Sequence, residues 1–362
     1  MRRSLNRALD AKLTAMAAHG LAPLDSDGPG TVVSDGEASE FVQAVRDNRI
    51  SGIAVVALID GALLVSESTA ASLVALHDEV MGQTMRTEVS ATSVSALLTD
   101  AGIDHRVLKG LALAHTVYLD PAARSFRDVD VLVPSTDMDE SVERLMAIGA
   151  TRAQPELRPG YDRRFSKSVT LKLDGIEIDL HRVLCPGPFG VWMKPNDLFV
   201  LRNVVRVAGV DIPILDRTDN LLHACYHVAL GQVEPVLSNL RDIAELSGTD
   251  QELGFDVERF DQAVDRWQGK AVIRRAVRLV NQRLKAPLPE ALRSYANAAV
   301  DSAHFDALEP YLVERDGSRF GALAPATLRA LPLSDRAAYA LAVGLPEGTE
   351  PLDRIKGLLN RS

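Results

Sequence analysis

The sequence predicts an α+β fold in which a small mixed β-sheet is flanked by an N-terminal and a C-terminal helical region. Between about residues 105 and 180, short runs of alternating polar and apolar residues alternate with short helical segments, an order typical of helices packed on a mixed sheet. Helical patterns dominate on both sides of this stretch. We therefore expect three regions, at 1–101, 102–215 and 216–362.

Composition and charge indicate an ordinary globular chain. It has 362 residues, of which 46% are hydrophobic and 25% charged, as is common in globular proteins. The formal net charge of −9 argues against nucleic-acid partners, because proteins that bind nucleic acids usually have a basic surface. A tRNA partner would need a local basic patch. Two cysteines do not form a disulfide framework.

Compartment and source are inferred from what the sequence contains. It has no apolar run of about 18 residues, and the first residues lack the apolar stretch of a secretory signal. We therefore expect a cytoplasmic protein without a membrane partner. The many Ala, Val, Arg and Asp residues suggest a bacterial source.

The N-terminal region is predicted to be helical, with one loop. A helix is expected at 1–19, and the stretch 21–38, rich in Gly, Pro, Asp and Ser, indicates a loop. The segment IAVVALI at 53–59 has strand propensity, but its neighbours favour a buried helix. Gly102 is expected to end the last helix of this region.

The central region begins with a strand, a helix and a second strand. RVLKG at 106–110 and DVDVLV at 128–133 are the expected strands, and LALAHTVYL lies between them as a helix. The next helix is predicted to begin after an N-cap at Ser135 or Thr136 and to end at Gly149. TRAQ at 151–154 is expected to add a short strand.

Asp174-Gly175 lies between two alternating runs and predicts a two-residue hairpin turn. The turn fixes the register, so that Thr170 lies opposite Asp179 and Lys172 opposite Glu177. The apolar face then consists of Val169, Leu171, Leu173, Ile176, Ile178 and Leu180.

The remainder of the chain is predicted to be one more hairpin followed by helices. The hairpin is expected at 206–216. Helical segments are expected at 218–231, 236–248 and 256–285, then shorter helices to the end, with loops at 317–325 and 346–351.

Asp128 and Asp130 are two residues apart on a predicted strand and so share one face. Two adjacent carboxylates repel each other, which predicts a raised pKa for at least one of them. Binding a hard cation such as Mg²⁺ is the usual reason for such a pair. The alternative is a solvated edge strand with two surface acids. Asp179, which has no cation opposite it, is the candidate third carboxylate.

These residues together carry a family resemblance. Lys109-Gly110 opening a helix, Asp128-x-Asp130 on the next strand and Asp179 on a later strand resemble the DNA polymerase β-like nucleotidyltransferases. A bacterial branch, an uncharacterised nucleotidyltransferase family with helices on both sides, is similar over about residues 85–245. The further residues that carry this similarity are Arg124, His181, Leu222, His223, His227, Leu240, Arg241, Asp242 and Ile243.

The resemblance implies an enzyme that moves an NMP from an NTP to a hydroxyl of an unknown small molecule, peptide or protein. Asp128 and Asp130 would hold two Mg²⁺ ions, and Asp179 the ion beside the nucleophile. The residues implied to contact the nucleotide are Lys109, Gly110, Arg124, His181, His223 and His227.

The phosphate contacts depart from the wider superfamily at one position. Leu111 stands where that superfamily has a serine after the glycine, so the resemblance leaves phosphate binding to backbone N–H groups and to Lys109. Arg124 is implied to neutralise the pyrophosphate leaving group. Arg127 is a second candidate, with a surface ion pair as its alternative.

The histidines keep more than one interpretation. His223 and His227 are four residues apart and share a helix face, as the ligands of a zinc or phosphohydrolase site would if Asp242 joined them. They are otherwise expected to line the cleft between the helical and catalytic parts, or to lie in the core. His181 is expected either to contact substrate or to cap the strand end.

Two further functions compete with the leading one. A toxin-like nucleotidyltransferase that modifies tRNA or protein would share the same three aspartates. A non-catalytic nucleotide-binding or partner-binding module with a decayed site would be consistent with the missing serine, although all three carboxylates are present.

Overall fold

The computed structural model describes residues 7–21, 30–312 and 319–344. Within these ranges the α+β prediction is confirmed, because helices surround one seven-stranded mixed sheet. The helices are α1 Arg7–Ala17, α2 Ala38–Asp47, α3 Ser51–Ile59, α4 Glu67–Asp100, α5 Gly110–Thr116, α6 Met138–Ala147, α7 Tyr161–Arg164, α8 Gly187–Trp192, α9 Arg217–Gly231, α10 Leu237–Ser247, α11 Val257–Arg266, α12 Lys270–Leu279, α13 Glu290–Arg293, α14 Ser302–Leu308, α15 Arg319–Ala330 and α16 Leu333–Gly344.

The large sheet has the strand order β5-β6-β7-β4-β3-β9-β8. Two of its pairs, β4 with β7 and β3 with β9, are parallel, and the other pairs are antiparallel. A separate parallel pair joins β1 and β2. The strands are β1 Thr31–Val32, β2 Leu63–Leu64, β3 Arg106–Val107, β4 Asp128–Leu132, β5 Thr151–Arg152, β6 Ser168–Leu173, β7 Ile176–His181, β8 Asn203–Val207 and β9 Val210–Ile214.

The hairpin of β6 and β7 has the register that the sequence predicts. Thr170 pairs with Asp179 and Lys172 with Glu177. Both turn residues have positive φ, 50° at Asp174 and 79° at Gly175, as a two-residue turn of this kind requires. The second predicted hairpin is also present, formed by β8 and β9.

One face of the sheet is apolar and packs against α4 and α6. Side chains of β4, β6 and β7 on this face, such as Val129, Leu171 and Ile178, join a core cluster with Val94 of α4 and Leu145 of α6. Because side chains alternate along a strand, the polar residues of the same strands point to the opposite face, beside the other helices.

Helices from both ends of the chain share a second core. Leu9 of α1, Phe41 of α2 and Leu240 of α10 belong to one buried cluster. Arg241 also donates hydrogen bonds to the backbone carbonyls of Ala17 and His19. The N-terminal and C-terminal helices therefore pack together, and the division into three regions stays a prediction. Among the described residues, no helix is long and apolar enough to cross a membrane.

Several predicted boundaries were wrong. The N-cap of α6 is Asp137, without a side-chain capping bond. The helix predicted at 256–285 divides into α11, α12 and a π turn at Val280–Leu284. The break between α11 and α12 occurs where Gln268 has a positive φ and Gly269 lies close to Tyr226.

The structure also limits the predictions at the chain ends. The loop predicted at 317–325 is wrong over 319–325, which lies in α15. Of the helix predicted at 1–19, α1 covers residues 7–17. Residues 1–6, residues 22–29 of the predicted loop at 21–38 and the loop at 346–351 lie outside the described residues. The interpretation of 53–59 as a buried helix is confirmed by α3.

Candidate active site

Asp130 and Asp179 meet at the centre of the polar face of the sheet. They are register partners on the adjacent parallel strands β4 and β7. One carboxylate oxygen from each and one ring nitrogen of His181 lie within 4.8 Å of one another. This spacing allows one cation to contact several of these atoms at once.

Asp128 lies at the start of β4, two residues before Asp130 and on the same face. Its register partner is Glu177, and it is half-buried. It is not part of the group formed by Asp130, Asp179 and His181. The structure therefore brings two of the three predicted carboxylates together with His181 and places the third beside them along the strand.

Asp179 is oriented by its neighbour on β6. The hydroxyl of Thr170 donates a hydrogen bond of 2.5 Å to Asp179 Oδ1. The other carboxylate oxygen of Asp179, Oδ2, accepts no hydrogen bond from a described residue. Asp179 is half-buried, so this carboxylate is open to a ligand at the sheet surface.

Asp130 is buried and keeps its negative charge through two neighbours. Lys109 Nζ lies 3.2 Å from both carboxylate oxygens. Burial alone would raise the pKa of Asp130, but the charge of Lys109 and the hydrogen bond from His181 outweigh it and hold this pKa well below its usual range. At Asp130, therefore, carboxylate repulsion does not raise the pKa, and a raised pKa for at least one of the carboxylates stays a prediction.

His181 orients Asp130. Its Nε2 lies 2.6 Å from Asp130 Oδ1. Since the carboxylate is ionised and can only accept, Nε2 carries the proton and donates. Burial, followed by the charge of Lys167, lowers the pKa of His181, which keeps the ring neutral. A protonated nitrogen cannot ligate a metal, so this geometry favours a positioning role for His181.

Lys109 and Gly110 form a strained turn between β3 and α5. Lys109 has φ 44° and ψ −127°, a conformation that costs a non-glycine residue about 1–3 kcal/mol and that tends to occur at functional sites. At Gly110, a Cβ atom would lie 2.6 Å from Cβ of Phe126. Only glycine fits there, so this residue lets the turn approach β4 and brings Lys109 to Asp130.

Arg124 is held in a buried ion pair. Its Nε and Nη2 donate to the two oxygens of Asp242, both at 2.8 Å, and Nη1 donates to the carbonyl of Ser125. Tyr118 also donates to Asp242. Burial would lower the pKa of Arg124, but Asp242 outweighs it and raises this pKa. These contacts link the strand side of the site to α10, and contact with a leaving group stays a prediction for Arg124.

His223, which is buried, and His227, which is half-buried, lie on α9 and line a small cavity with Lys109 and Asp242. The cavity measures about 10 Å³, room for about one water molecule. His227 Nε2 lies 3.1 Å from the side-chain nitrogen of Asn239, whereas His223 Nε2 has no hydrogen-bond partner within the described part of the chain. Among the described residues, these histidines belong to no group spaced for a metal ion.

Lys167 is a residue that the sequence does not single out. It directly precedes β6, is half-buried, and interacts electrostatically with Asp130, Asp179 and Lys109. A single lysine between two serines has no periodic pattern or motif that would predict this position. Its approach to the carboxylates depends on the pairing of β6 with β7.

Two large clefts open beside the carboxylates. One, of about 900 Å³, runs along β6 and includes Lys167 and Thr170. The other, of about 870 Å³, is rich in arginine and includes Asp128 and Arg127. Glu177 lines both. The two clefts therefore meet at Glu177, the register partner of Asp128.

A mixed sheet with paired carboxylates beside a strand-to-helix turn is typical of nucleotidyltransferases. The chain belongs to the uncharacterised nucleotidyltransferase family, whose sequence model matches residues 34–285. The predicted enzyme class, nucleotidyltransferase, is thereby confirmed.

Two solved structures that match the chain are distant in sequence. The antibiotic-resistance factor ANT(2'')-Ia is 10% identical, with 45% of this chain and 83% of that chain covered and a TM-score of 0.32. An antigenic nucleotidyltransferase-like protein from Paracoccidioides brasiliensis is 12% identical, with 57% and 95% covered and a TM-score of 0.32. No curated protein matches the chain.

We expect Asp242→Asn to destabilise the fold strongly. The substitution leaves the buried Arg124 cation without its counter-charge, which costs about 3–5 kcal/mol. Urea denaturation measures the loss. Glu79→Gln is the matched control, because Glu79 forms a similar two-bond pair with Arg46 at the surface, where pairs contribute little. Equal losses in the two variants would contradict the structural role of the buried pair.

We also expect stability to fall as the pH is lowered from 7 to 5.5. Burial lowers the pKa of His181, His223 and His227, so these rings stay neutral in the folded state but take up protons in the unfolded state below about pH 6.5. Each histidine contributes a slope of up to about 1.4 kcal/mol per pH unit in this window. The depressed pKa of Asp130 acts only at lower pH.

Urea denaturation of the wild type and of the double variant His223→Gln/His227→Gln, at several pH values, measures these slopes. The double variant should have the smaller slope even if it is less stable throughout. Identical slopes would contradict the expectation.

Proposed function

We propose that this protein is an Mg²⁺-dependent enzyme that transfers an NMP from an NTP to a hydroxyl group of a small molecule, a peptide or a protein. The observation that carries the proposal is the meeting of Asp130 and Asp179 on adjacent strands. Their carboxylate oxygens, with Asp128 beside them, are the hard ligands that fit Mg²⁺.

The proposed reaction is an in-line displacement at the α-phosphorus. A bond forms between the acceptor oxygen and this phosphorus, while the bond to the β-phosphate oxygen breaks and pyrophosphate leaves with the electron pair. When bound, the two Mg²⁺ ions would stabilise the charge that develops on the phosphate oxygens. The remaining catalysis comes from residues that position the reactants and accept the hydroxyl proton.

Asp179 is the residue we assign to that proton. It is half-buried and held by Thr170, so it keeps a fixed direction while one oxygen faces the ligand side. Asp128 and Asp130 are assigned to metal binding, with Asp179 as the third ligand. His181 and Lys109 hold Asp130 in place and keep it ionised.

Two reactants need two approaches to the site, and the structure has two clefts that share Glu177. This arrangement supports a transfer between substrates more than a hydrolysis, for which one cleft suffices. We further propose that Gly110 admits the nucleotide phosphates close to the backbone. His223, His227 and Arg124 are assigned to the positioning of Lys109 and of the strand that carries the aspartates.

The broader predictions are part of the same proposal. They are membership of the DNA polymerase β-like superfamily, a bacterial source, a cytoplasmic location and the division into a central catalytic region with a helical region on each side. The resemblance of Lys109-Gly110, Asp128-x-Asp130 and Asp179 supports the first of these.

The transfer is tested by mass spectrometry of cell lysate and candidate acceptors incubated with the four NTPs and Mg²⁺. We expect an added NMP with the wild type. Asp130→Asn and Asp179→Asn should reduce transfer by at least about a hundredfold, the scale of losing a charge-stabilising group. Asp174→Asn, in the exposed hairpin turn of the same strands, is the matched control and should retain transfer.

The stability of the same variants without metal separates charge from fold. Asp130→Asn should destabilise the protein, because Lys109 then loses its buried partner, whereas Asp179→Asn should change stability little. Transfer that persists in Asp130→Asn and Asp179→Asn, or NTP-dependent modification without divalent ions, would contradict the proposed function.

A further inference from the structure

Lys167 is fixed at the edge of the carboxylate group by its backbone. It lies directly before β6, and its carbonyl accepts a hydrogen bond of 2.9 Å from the backbone N–H of Arg182. Arg182 directly follows His181, at the end of β7. Lys167 is therefore held next to the strand that carries Asp179, at the start of β6, whereas Lys109 follows β3.

The ammonium of Lys167 is surrounded by charges but paired with none of the described side chains. The carboxylates of Asp130 and Asp179 attract this ammonium, and the ammonium of Lys109 repels it. The Lys167 ammonium donates no hydrogen bond to a described side chain. Both oxygens of Asp130 are engaged by Lys109, and Asp179 Oδ1 accepts from Thr170. An ammonium has three N–H donors, and Lys167 is half-buried, so these donors are available to the anionic oxygens of a ligand.

The cleft beside Lys167 has the size and lining of a nucleotide site. Its volume is about 900 Å³, within the usual range for small-molecule sites. Its wall includes Tyr161 and Phe165, whose rings are 5.7 Å apart, and Tyr339 of α16, whose ring is 5.4 Å from that of Phe165. Tyr161 and Tyr339 are buried and support Phe165, the half-buried ring of this wall. The face of such a ring suits a nucleobase, whereas the ammonium of Lys167 suits phosphates.

We propose that Lys167 binds the phosphate groups of the NTP, and that the nucleotide lies in the cleft along β6 with its base toward the aromatic wall. This assignment rests on the proposed function and adds the substrate site to it. The triphosphate supplies the anionic oxygens that the ammonium of Lys167 lacks within the protein. Lys109 cannot fill this role alone, because it is already paired with Asp130.

The proposal also gives a role to the last helices that the structure describes. Leu323 and Thr327 of α15 and Tyr339 of α16 line the same cleft, and Arg164 joins this segment to α7 through an ion pair with Asp335. These helices lie beyond residues 34–285, the part that matches the family. They contribute a wall of the nucleotide cleft that the family match does not include.

The test is isothermal titration calorimetry with three probes in the presence of Mg²⁺: ATP, inorganic tripolyphosphate and adenosine. If the wild type binds GTP, CTP or UTP more tightly than ATP, that nucleotide replaces ATP as the probe. The corresponding nucleoside then replaces adenosine. Lys167→Met should weaken NTP and tripolyphosphate binding about 10–100-fold, the scale of one charge-assisted hydrogen bond. Nucleoside binding should not change, and Lys167→Arg should restore part of the phosphate affinity.

Two further measurements separate this role from a structural one. Without ligand, Lys167→Met should melt at the same temperature as the wild type or higher, since it removes a half-buried charge that has no side-chain partner among the described residues. Lys194→Met, at an exposed lysine outside the cleft, is the matched control and should bind all probes as the wild type does.

The outcomes are distinct. NTP and tripolyphosphate binding that is unchanged in Lys167→Met, while the wild type binds NTP, overturns the assignment of Lys167 and leaves the proposed transfer in place. A Lys167→Met variant that loses stability in proportion to its affinity also overturns it, because Lys167 is then structural. A wild type that binds no NTP with Mg²⁺ overturns both proposals.

Discussion

The ion pair between Lys109 and Asp130 is the interaction on which the candidate site depends. Asp130 is buried, and an unpaired carboxylate there would take up a proton and lose its value as a metal ligand. Lys109 keeps it ionised from 3.2 Å. The pair in turn requires the strained backbone at Lys109 and a glycine at position 110, where Phe126 leaves no room for a side chain. The strained backbone at Lys109 is therefore compensated by the ion pair that it allows between Lys109 and Asp130.

The helices hold this pair in place from the opposite side. Arg124, Asp242 and Tyr118 form a buried network that ties the turn before β4 to α10. His223 and His227 fill the space between α9 and Lys109 and leave a cavity of about 10 Å³. The helical regions therefore do more than enclose the sheet, because α9 and α10 contribute residues that line the cavity beside Lys109.

The sequence predicted much of the sheet because a hairpin turn and the alternation of polar and apolar residues are properties of neighbouring residues. The Asp174-Gly175 turn fixed the register that places Thr170 beside Asp179, and the alternation at Asp128 to Val133 gave the correct faces. The helix break at Gln268 was missed, although the adjacent Gly269 was visible in the sequence. It was missed because the close packing of Gly269 against Tyr226 is a tertiary contact.

The remaining features depend on contacts between distant parts of the chain. Asp130 meets Asp179 only because β4 pairs with β7 in parallel, an adjacency that neither strand encodes by itself. Arg124 and Asp242 are 118 residues apart, so family resemblance pointed to both residues without revealing that they pair. Lys167 had no signal at all, because a solitary lysine before a strand is ordinarily a surface residue.

The central claim is that Asp130 and Asp179 form one metal site. Its most direct test is a crystal structure of the protein soaked with Mn²⁺, a substitute for Mg²⁺ that is located by anomalous diffraction. The account predicts an anomalous peak about 2.0–2.3 Å from a carboxylate oxygen of each aspartate, as expected for a hard divalent cation. A peak between His223 and His227 instead, or none near Asp130 and Asp179 at saturating Mn²⁺, would contradict it.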